Sequence, residues 1–262
     1  MRVVILDSAE NVSRRAADII VARIASKPQT VLGLSTGGTP LGTYRELIAA
    51  HQVGRVSFRQ VTTFNLDEYV GLPPEHSQSY HYFMHEQLFS KADFDVTRCH
   101  VPSGLATDYS QYCDTYEQLI RDHGGIDLQL LGIGTDGHIA FNEPGSSLAS
   151  RMRLKALTER TRIDNSRFFS SIEEVPNLAV TMGVGSILDA KEVLLLATGA
   201  NKANAVRAFI EGPVTSQITA SALQMHPRVT VLLDDPAAQW LQRRDYYDEV
   251  ERIQLKVEHA PV

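Results

Sequence analysis

Cysteine is nearly missing from this chain of 262 residues: Cys99 and Cys113 are the only two. Neither sits in a CxxC pair or a metal-ligand cluster, which excludes a disulfide framework and a cysteine-built zinc site. A chain this long buries a core without staples, so both thiols read as reduced bystanders. Long apolar runs are missing too. No stretch approaches the roughly 20 residues of a membrane-crossing helix, and the opening Met-Arg-Val-Val-Ile-Leu-Asp reaches an acid after only a short apolar run. The expectation is a cytoplasmic protein with no membrane contact, in which the Asn11-Val12-Ser13 sequon has no role. Surplus cations are absent as well. With a net charge of -6 and a pI near 5.8, nucleic acid and anionic membranes are poor candidates for the main partner, and a small molecule is the expectation.

What is present is ordinary globular composition, 43% hydrophobic and 21% charged, without repeats, linkers or low-complexity tracts. One domain over residues 1–262 is the expectation. Short β-branched runs alternate with amphipathic stretches: Val3 to Leu6, a helix from about Ala9 to Ala25, then Val31 to Leu34. Further strands are predicted at Val61 to Asn65, Leu128 to Ile133, Ala179 to Met182, Val193 to Ala197 and Val229 to Leu233. Helices are predicted at Gly42 to Ala50, Gln111 to Asp122 and Asn201 to Glu211. The strands are apolar on both faces, which predicts an α/β three-layer sandwich, a mainly parallel sheet covered by helices on both sides. In such sheets ligands bind beyond the carboxyl ends of the strands.

The loop after the strand at Leu128 reads G-I-G-T-D-G-H-I-A-F-N-E, Gly132 to Glu143. Asp136, His138 and Glu143 have the parts of a proton relay: a titratable imidazole, a carboxylate to orient it and a second carboxylate. The bland alternative is a glycine-rich turn with a solvated acid and a capping histidine. Gly132, Gly134 and Gly137 also match the dinucleotide fingerprint G-x-G-x-x-G, but that motif opens a helix, and here Pro144 and Gly145 break any regular period.

Ser35-Thr36-Gly37-Gly38-Thr39-Pro40 follows the second strand and precedes a helix. Two glycines, Thr39 as N-cap and Pro40 at the first helical position suit an anion cradle, against the alternative of a plain strand-to-helix turn. Lys202, in a similar loop, suits a phosphate clamp. Asp67 and Glu68 end the third strand; side chains of neighbouring strand residues point opposite ways, so one is the candidate base and the other faces outward or meets a cation. Residues 151–167 hold six cations and two acids, either a solvated helix face or a phosphate-reading segment. His81 and His85 sit one helical turn apart, but Tyr82 stands where a zincin has glutamate, so a packed helix is preferred to a metal site.

The blocks L-G-L-S-T-G-G-T-P, V-T-T-F-N-L-D-E-Y-V-G-L-P, G-T-D-G-H-I-A-F-N-E-P-G-S-S-L-A-S-R, N-S-R-F-F and L-Q-M-H-P, spread over nearly the whole chain, resemble the glucosamine-6-phosphate deaminase family. The resemblance implies a modified Rossmann-like fold and conversion of glucosamine 6-phosphate to fructose 6-phosphate and ammonia, with no cofactor and no metal. It implies Asp67 as the base between C2 and C1, His138 as the ring opener assisted by Asp136 and Glu143, and Gly37, Gly38, Thr39, Arg167 and Lys202 as phosphate ligands. Some relatives are hexamers activated by N-acetylglucosamine 6-phosphate, and the matching positions are Ser146, Arg153 and Lys155, implying a homo-oligomer. That match is incomplete. Ala156 stands where activated relatives have a hydroxyl, and Tyr246 and Tyr247 lie out of register with the expected C-terminal tyrosine. A lid within about 148–176 is a further expectation. A 6-phosphogluconolactonase-like hydrolase and a non-catalytic sugar-phosphate sensor remain as rivals, which the role of Asp67 separates.

Overall fold

The computed structural model describes residues 1–166 and 169–258. Its strands are β1 (Arg2–Leu6), β2 (Val31–Leu34), β3 (Thr62–Asn65), β4 (Asp67–Tyr69), β5 (Cys99–His100), β6 (Leu128–Leu131), β7 (Arg153–Ala156), β8 (Leu178–Thr181), β9 (Val193–Ala197) and β10 (Val229–Asp234). The helices are α1 (Ala9–Ser26), α2 (Leu41–Gln52), α3 (Tyr80–Gln87), α4 (Tyr109–Asp122), α5 (Glu159–Ser166), α6 (Val184–Leu188), α7 (Ala203–Glu211), α8 (Asp235–Ala238) and α9 (Arg244–Glu258). Seven strands form one parallel sheet in the order β1-β10-β9-β6-β2-β3-β5.

Period-two alternation decides which layer each strand residue joins. In β9, Val193, Leu195 and Ala197 pack with Phe209 of α7 and Ile187 of α6, while Leu194 and Leu196 pack with the α1 and α2 side. Both faces are therefore dry, and the run Val-Leu-Leu-Leu-Ala is apolar throughout. Helix α1 shows the matching 3.6-residue logic. The Ser8 hydroxyl accepts from the Asn11 amide at its start, and Val12, Ala16, Ile20 and Ile24 form the buried stripe.

The parallel three-layer expectation holds, with one correction. The predicted strand at Ala179 to Met182 exists as β8, but it belongs to a separate antiparallel sheet, β4-β8-β7. Its partner β7 comes from the basic run, which is thus a strand before it is a helix. Two cations of that run are used internally. Arg151 pairs with Glu117 and Asp189, and Arg162 donates to the carbonyls of Val175 and Ile172. Neither the solvated face nor the phosphate-reading segment describes Arg151 and Arg162. The small sheet matters because it fixes Asp67 and Glu68 in β4, beside the carboxyl ends of the large one. Cys99 is half-buried and Cys113 buried, and burial pushes both thiols up to about 11, so neither is a nucleophile at neutral pH.

Candidate active site

A cleft of about 570 Å³ opens beyond the carboxyl ends of β2, β3, β6 and β9, where a parallel sheet leaves room between diverging loops. The first wall is the 35–39 loop. Gly37 has φ +94, a conformation that favours glycine, and a side chain at Gly38 would meet nothing within 4 Å. Packing does not require glycine at 38; its absence of a side chain leaves backbone accessible from the cleft. One prediction fails here. Pro40, not Thr39, is the N-cap of α2, with φ -76 and ψ -11, and no side chain caps the helix. Thr39 faces the cleft instead. Lys202 lines the opposite side, in a short 3-10 turn after β9 whose entry, Gly199, has φ +89 and donates its amide to both oxygens of Asp234 at 3.0 Å.

The second wall is β4. Asp67 is only 6% exposed and borders the cleft. Among the described residues nothing donates a hydrogen bond to its carboxylate. Burial, with the negative charge of Glu68 adding to it, pushes Asp67 up to about 8. Glu68 lies on the other face of the strand and is fully buried, not outward and not on a lysine or arginine. Its oxygens accept from the amides of Tyr69, Tyr80 and His81 at 2.8–3.1 Å, and His81 Nδ1 lies 3.0 Å away. Burying a bare carboxylate costs several kcal/mol; the free amides and positive dipole end of α3 offset that cost. The helix expected around His81 and His85 is α3, whose first amides bind Glu68.

The third wall is the loop from Gly132 to Glu143. No helix follows Gly137 before α5, so the dinucleotide fingerprint lacks its essential element. His138 Nδ1 lies 2.6 Å from Asp136 Oδ1, and the His138 amide donates to the same oxygen at 3.1 Å. Burial would raise the Asp136 carboxyl, but the imidazole and the amide outweigh it and hold the group below its ordinary value. Gly134 is glycine for a packing reason: a methyl there would collide with the His138 ring and the Asp136 carboxylate. Ala140, at φ +50, is the one non-glycine residue in the left-handed region among those described, and it too lines the cleft. Such a conformation costs about 1–2 kcal/mol. Neighbours hold it: Phe141 N donates to Thr181 Oγ1, and Asn142 Nδ2 donates to the Met182 carbonyl at 2.8 Å.

Glu143 stands apart from the other two. It is 3% exposed, and its carboxylate accepts from the Thr158 amide and hydroxyl at 3.0 Å, just before α5. The structure thus gives Glu143 a contact with the segment expected to be a lid, and Thr161 and Asn165 of that segment line the cleft. Arg167 lies outside the described residues. Sequence reasoning gave no role to Tyr80, Thr198 and Asn201, which also line it with Thr36 and Thr135 of the two loops. Thr198 and Asn201 follow β9 and were open to the rule that singled out Lys202. Tyr80 begins α3, away from any strand end, and gave no such signal.

Fold and cleft together define a three-layer α/β protein with an acid–base site on the carboxyl edge of its parallel sheet. The family model for glucosamine-6-phosphate isomerases and 6-phosphogluconolactonases matches residues 6–232. The glucosamine-6-phosphate deaminase of Cellvibrio japonicus is 52% identical over 257 residues, 98% of each chain, and that of Mycolicibacterium smegmatis is 51% identical over 253, covering 96% and 97%. Among solved structures, a monomeric glucosamine-6-phosphate deaminase is 48% identical with a TM-score of 0.90, covering 91% of this chain and 99% of its own. The 6-phosphogluconolactonase of Trypanosoma brucei shares the fold, with a TM-score of 0.73 at 20% identity over 91% of this chain and 97% of its own. The chain belongs to the glucosamine-6-phosphate deaminase family and is an enzyme. No helix among the described residues is long and apolar enough to cross a membrane.

Proposed function

We propose that the enzyme converts glucosamine 6-phosphate and water to fructose 6-phosphate and ammonia. The phosphate rests on the amides of Gly37 and Gly38 and the Thr39 hydroxyl, with Lys202 and Arg167 as countercharges. His138, oriented by Asp136, moves the proton between the anomeric hydroxyl and the ring oxygen, giving the open-chain aldehyde. Asp67 takes the C2 proton and returns it at C1, while the carbonyl oxygen gains a proton and the C2 amine gives one up, so C1 becomes a hydroxymethyl group and C2 an imine. Water adds to that imine, and the C2–N bond breaks to leave the ketone and ammonia. No electrons are exchanged with a cofactor, and each proton has a donor and an acceptor. Glu143, in this reading, supports ring opening while holding Thr158 and the lid.

The observation that carries this reading is Asp67: a buried carboxylate on the cleft wall without a described donor. A lactonase has no carbon-bound proton to move and a sensor has none either. Amino-sugar breakdown in the cytoplasm follows as the setting. The test is an assay of ammonia and fructose 6-phosphate formed from glucosamine 6-phosphate; formation of neither overturns the proposal. Activation by N-acetylglucosamine 6-phosphate is a dependent reading. Its support is that Arg153 and Lys155 share one face of β7 and that the buried Ser146 hydroxyl has no hydrogen-bond partner among the described residues. Against it stand Ala156 and the position of Tyr246 and Tyr247 on α9, which packs on β1. Repeating the assay with that effector decides: a rate curve hyperbolic and unchanged in its presence removes the effector site.

A further inference from the structure

Helix α9 lies outside the cleft, and its two faces differ. The inward face carries Tyr247 and Glu251. Glu251 accepts from Arg2 of β1 at 2.6 Å, Glu258 accepts from the same guanidinium at 2.7 Å, and the Tyr247 hydroxyl donates to Glu211 at 3.3 Å. The outward face carries Tyr246, Val250, Ile253 and Val257, exposed by 51%, 41%, 50% and 66%. Single exposed apolar side chains are ordinary, but four in helical register are not. Their spacing of four, three and four residues is that of a coiled-coil seam. Among the described residues the Arg243 guanidinium, 4.6 Å from the Tyr246 ring centroid, and the edge-on Tyr247 ring at 5.6 Å both touch Tyr246, the first residue of the stripe. Trp240, just before the helix, is 53% exposed.

We propose that this stripe is a self-docking surface, on which α9 of a second copy of the chain lies antiparallel. The flanking charges select that occupant. Placing Val250 of one copy against Ile253 of the other also sets Tyr246 against Val257. That register brings Glu249 of one copy beside Lys256 of the other, and the two-fold axis makes the contact twice. A parallel pairing would set Glu249 opposite Gln254 and gain no ion pair. Glu249 has only a loose partner within its own helix, Arg252 at 3.9 Å, so it can turn toward a second chain. A helix of 15 residues offers a seam about 22 Å long. Such an interface is at the small end of stable contacts, so the dimer is concentration-dependent.

Sedimentation velocity on the full chain, from low micromolar to near-millimolar concentration, tests the proposal. Expected is a monomer–dimer equilibrium that Val250→Glu with Ile253→Glu abolishes, with deaminase activity and unfolding midpoint unchanged because both positions are exposed and far from the cleft. Glu249→Lys and Lys256→Glu each weaken dimerisation about tenfold, by setting like charges together twice. Combined, they restore it, which only the antiparallel register allows. A monomer at every concentration overturns the proposal and leaves the stripe to a different protein. So does a dimer indifferent to the two glutamates, or a charge swap that fails to restore pairing.

Discussion

Asp67 and Asp136 serve one cleft and are driven in opposite directions. Asp67 is sealed into β4, with Glu68 as its next residue and no described donor, and holds its proton up to about 8. Asp136 sits in an open loop, its side chain 36% exposed, with the His138 ring at 2.6 Å and a backbone amide on the same oxygen; it stays ionised well into acid. The residue type is identical, so the surroundings alone assign the roles. A group poised near neutrality can take and return a proton on carbon. A permanently charged one can only orient an imidazole and stabilise its protonated form. The two positions cannot exchange work.

The largest expected effect comes from removing the poised member. Asp67→Asn keeps the shape of the site and the phosphate cradle but has no base, so ammonia release falls by about 10²–10⁴-fold while sugar phosphate still binds. The tritium of a C2-labelled substrate is retained by the variant and lost to solvent or transferred by the parent. Undiminished ammonia release from Asp67→Asn would end the comparison, because the buried carboxylate would then have no chemical task.

A smaller effect isolates the other member. Gly134→Ala places a methyl where the His138 ring and the Asp136 carboxylate now sit, while β4 is untouched. The imidazole must move or turn, and kcat is expected to fall about 100-fold with little change in KM. A variant that keeps its kcat shows that the present contact of imidazole and carboxylate is not the working one.

Much of this contrast is legible in the chain, and the exceptions have physical causes. Strand runs such as Val193–Ala197 are read directly because dry faces on both sides demand unbroken apolar sequence. Asp67 and Asp136 are legible as acids just after such runs. Their opposite ionisation is not, because it depends on neighbours delivered by tertiary packing. Glu68 is satisfied by amides twelve and thirteen residues further on, and Glu143 by Thr158 across a loop. The antiparallel sheet is hidden for another reason. Its strands are three or four residues long, and β7 is half exposed and rich in cations, so it resembles a solvated helix face. Helix α9 escapes the same reading, since none of its residues is buried and its apolar positions face outward.

The smallest expected effect is on stability, and it tests the cause of the Asp67 shift rather than its use. The carboxyl is at about 8 in the folded chain against an ordinary 3.8, so between those values the folded state binds the proton that the unfolded state has lost. Stability from this group is therefore complete below about pH 4 and drains away as pH rises through 8. Asp67→Asn carries no charge to desolvate and lacks that slope. Thermal unfolding from pH 4 to pH 9 should find the variant and the parent level at the acid end. Toward pH 8 the variant should gain, by about 5 °C or more. Equal midpoints across the range would mean that water or a moving loop reaches the carboxylate, and that Asp67 and Asp136 differ less than their burial implies.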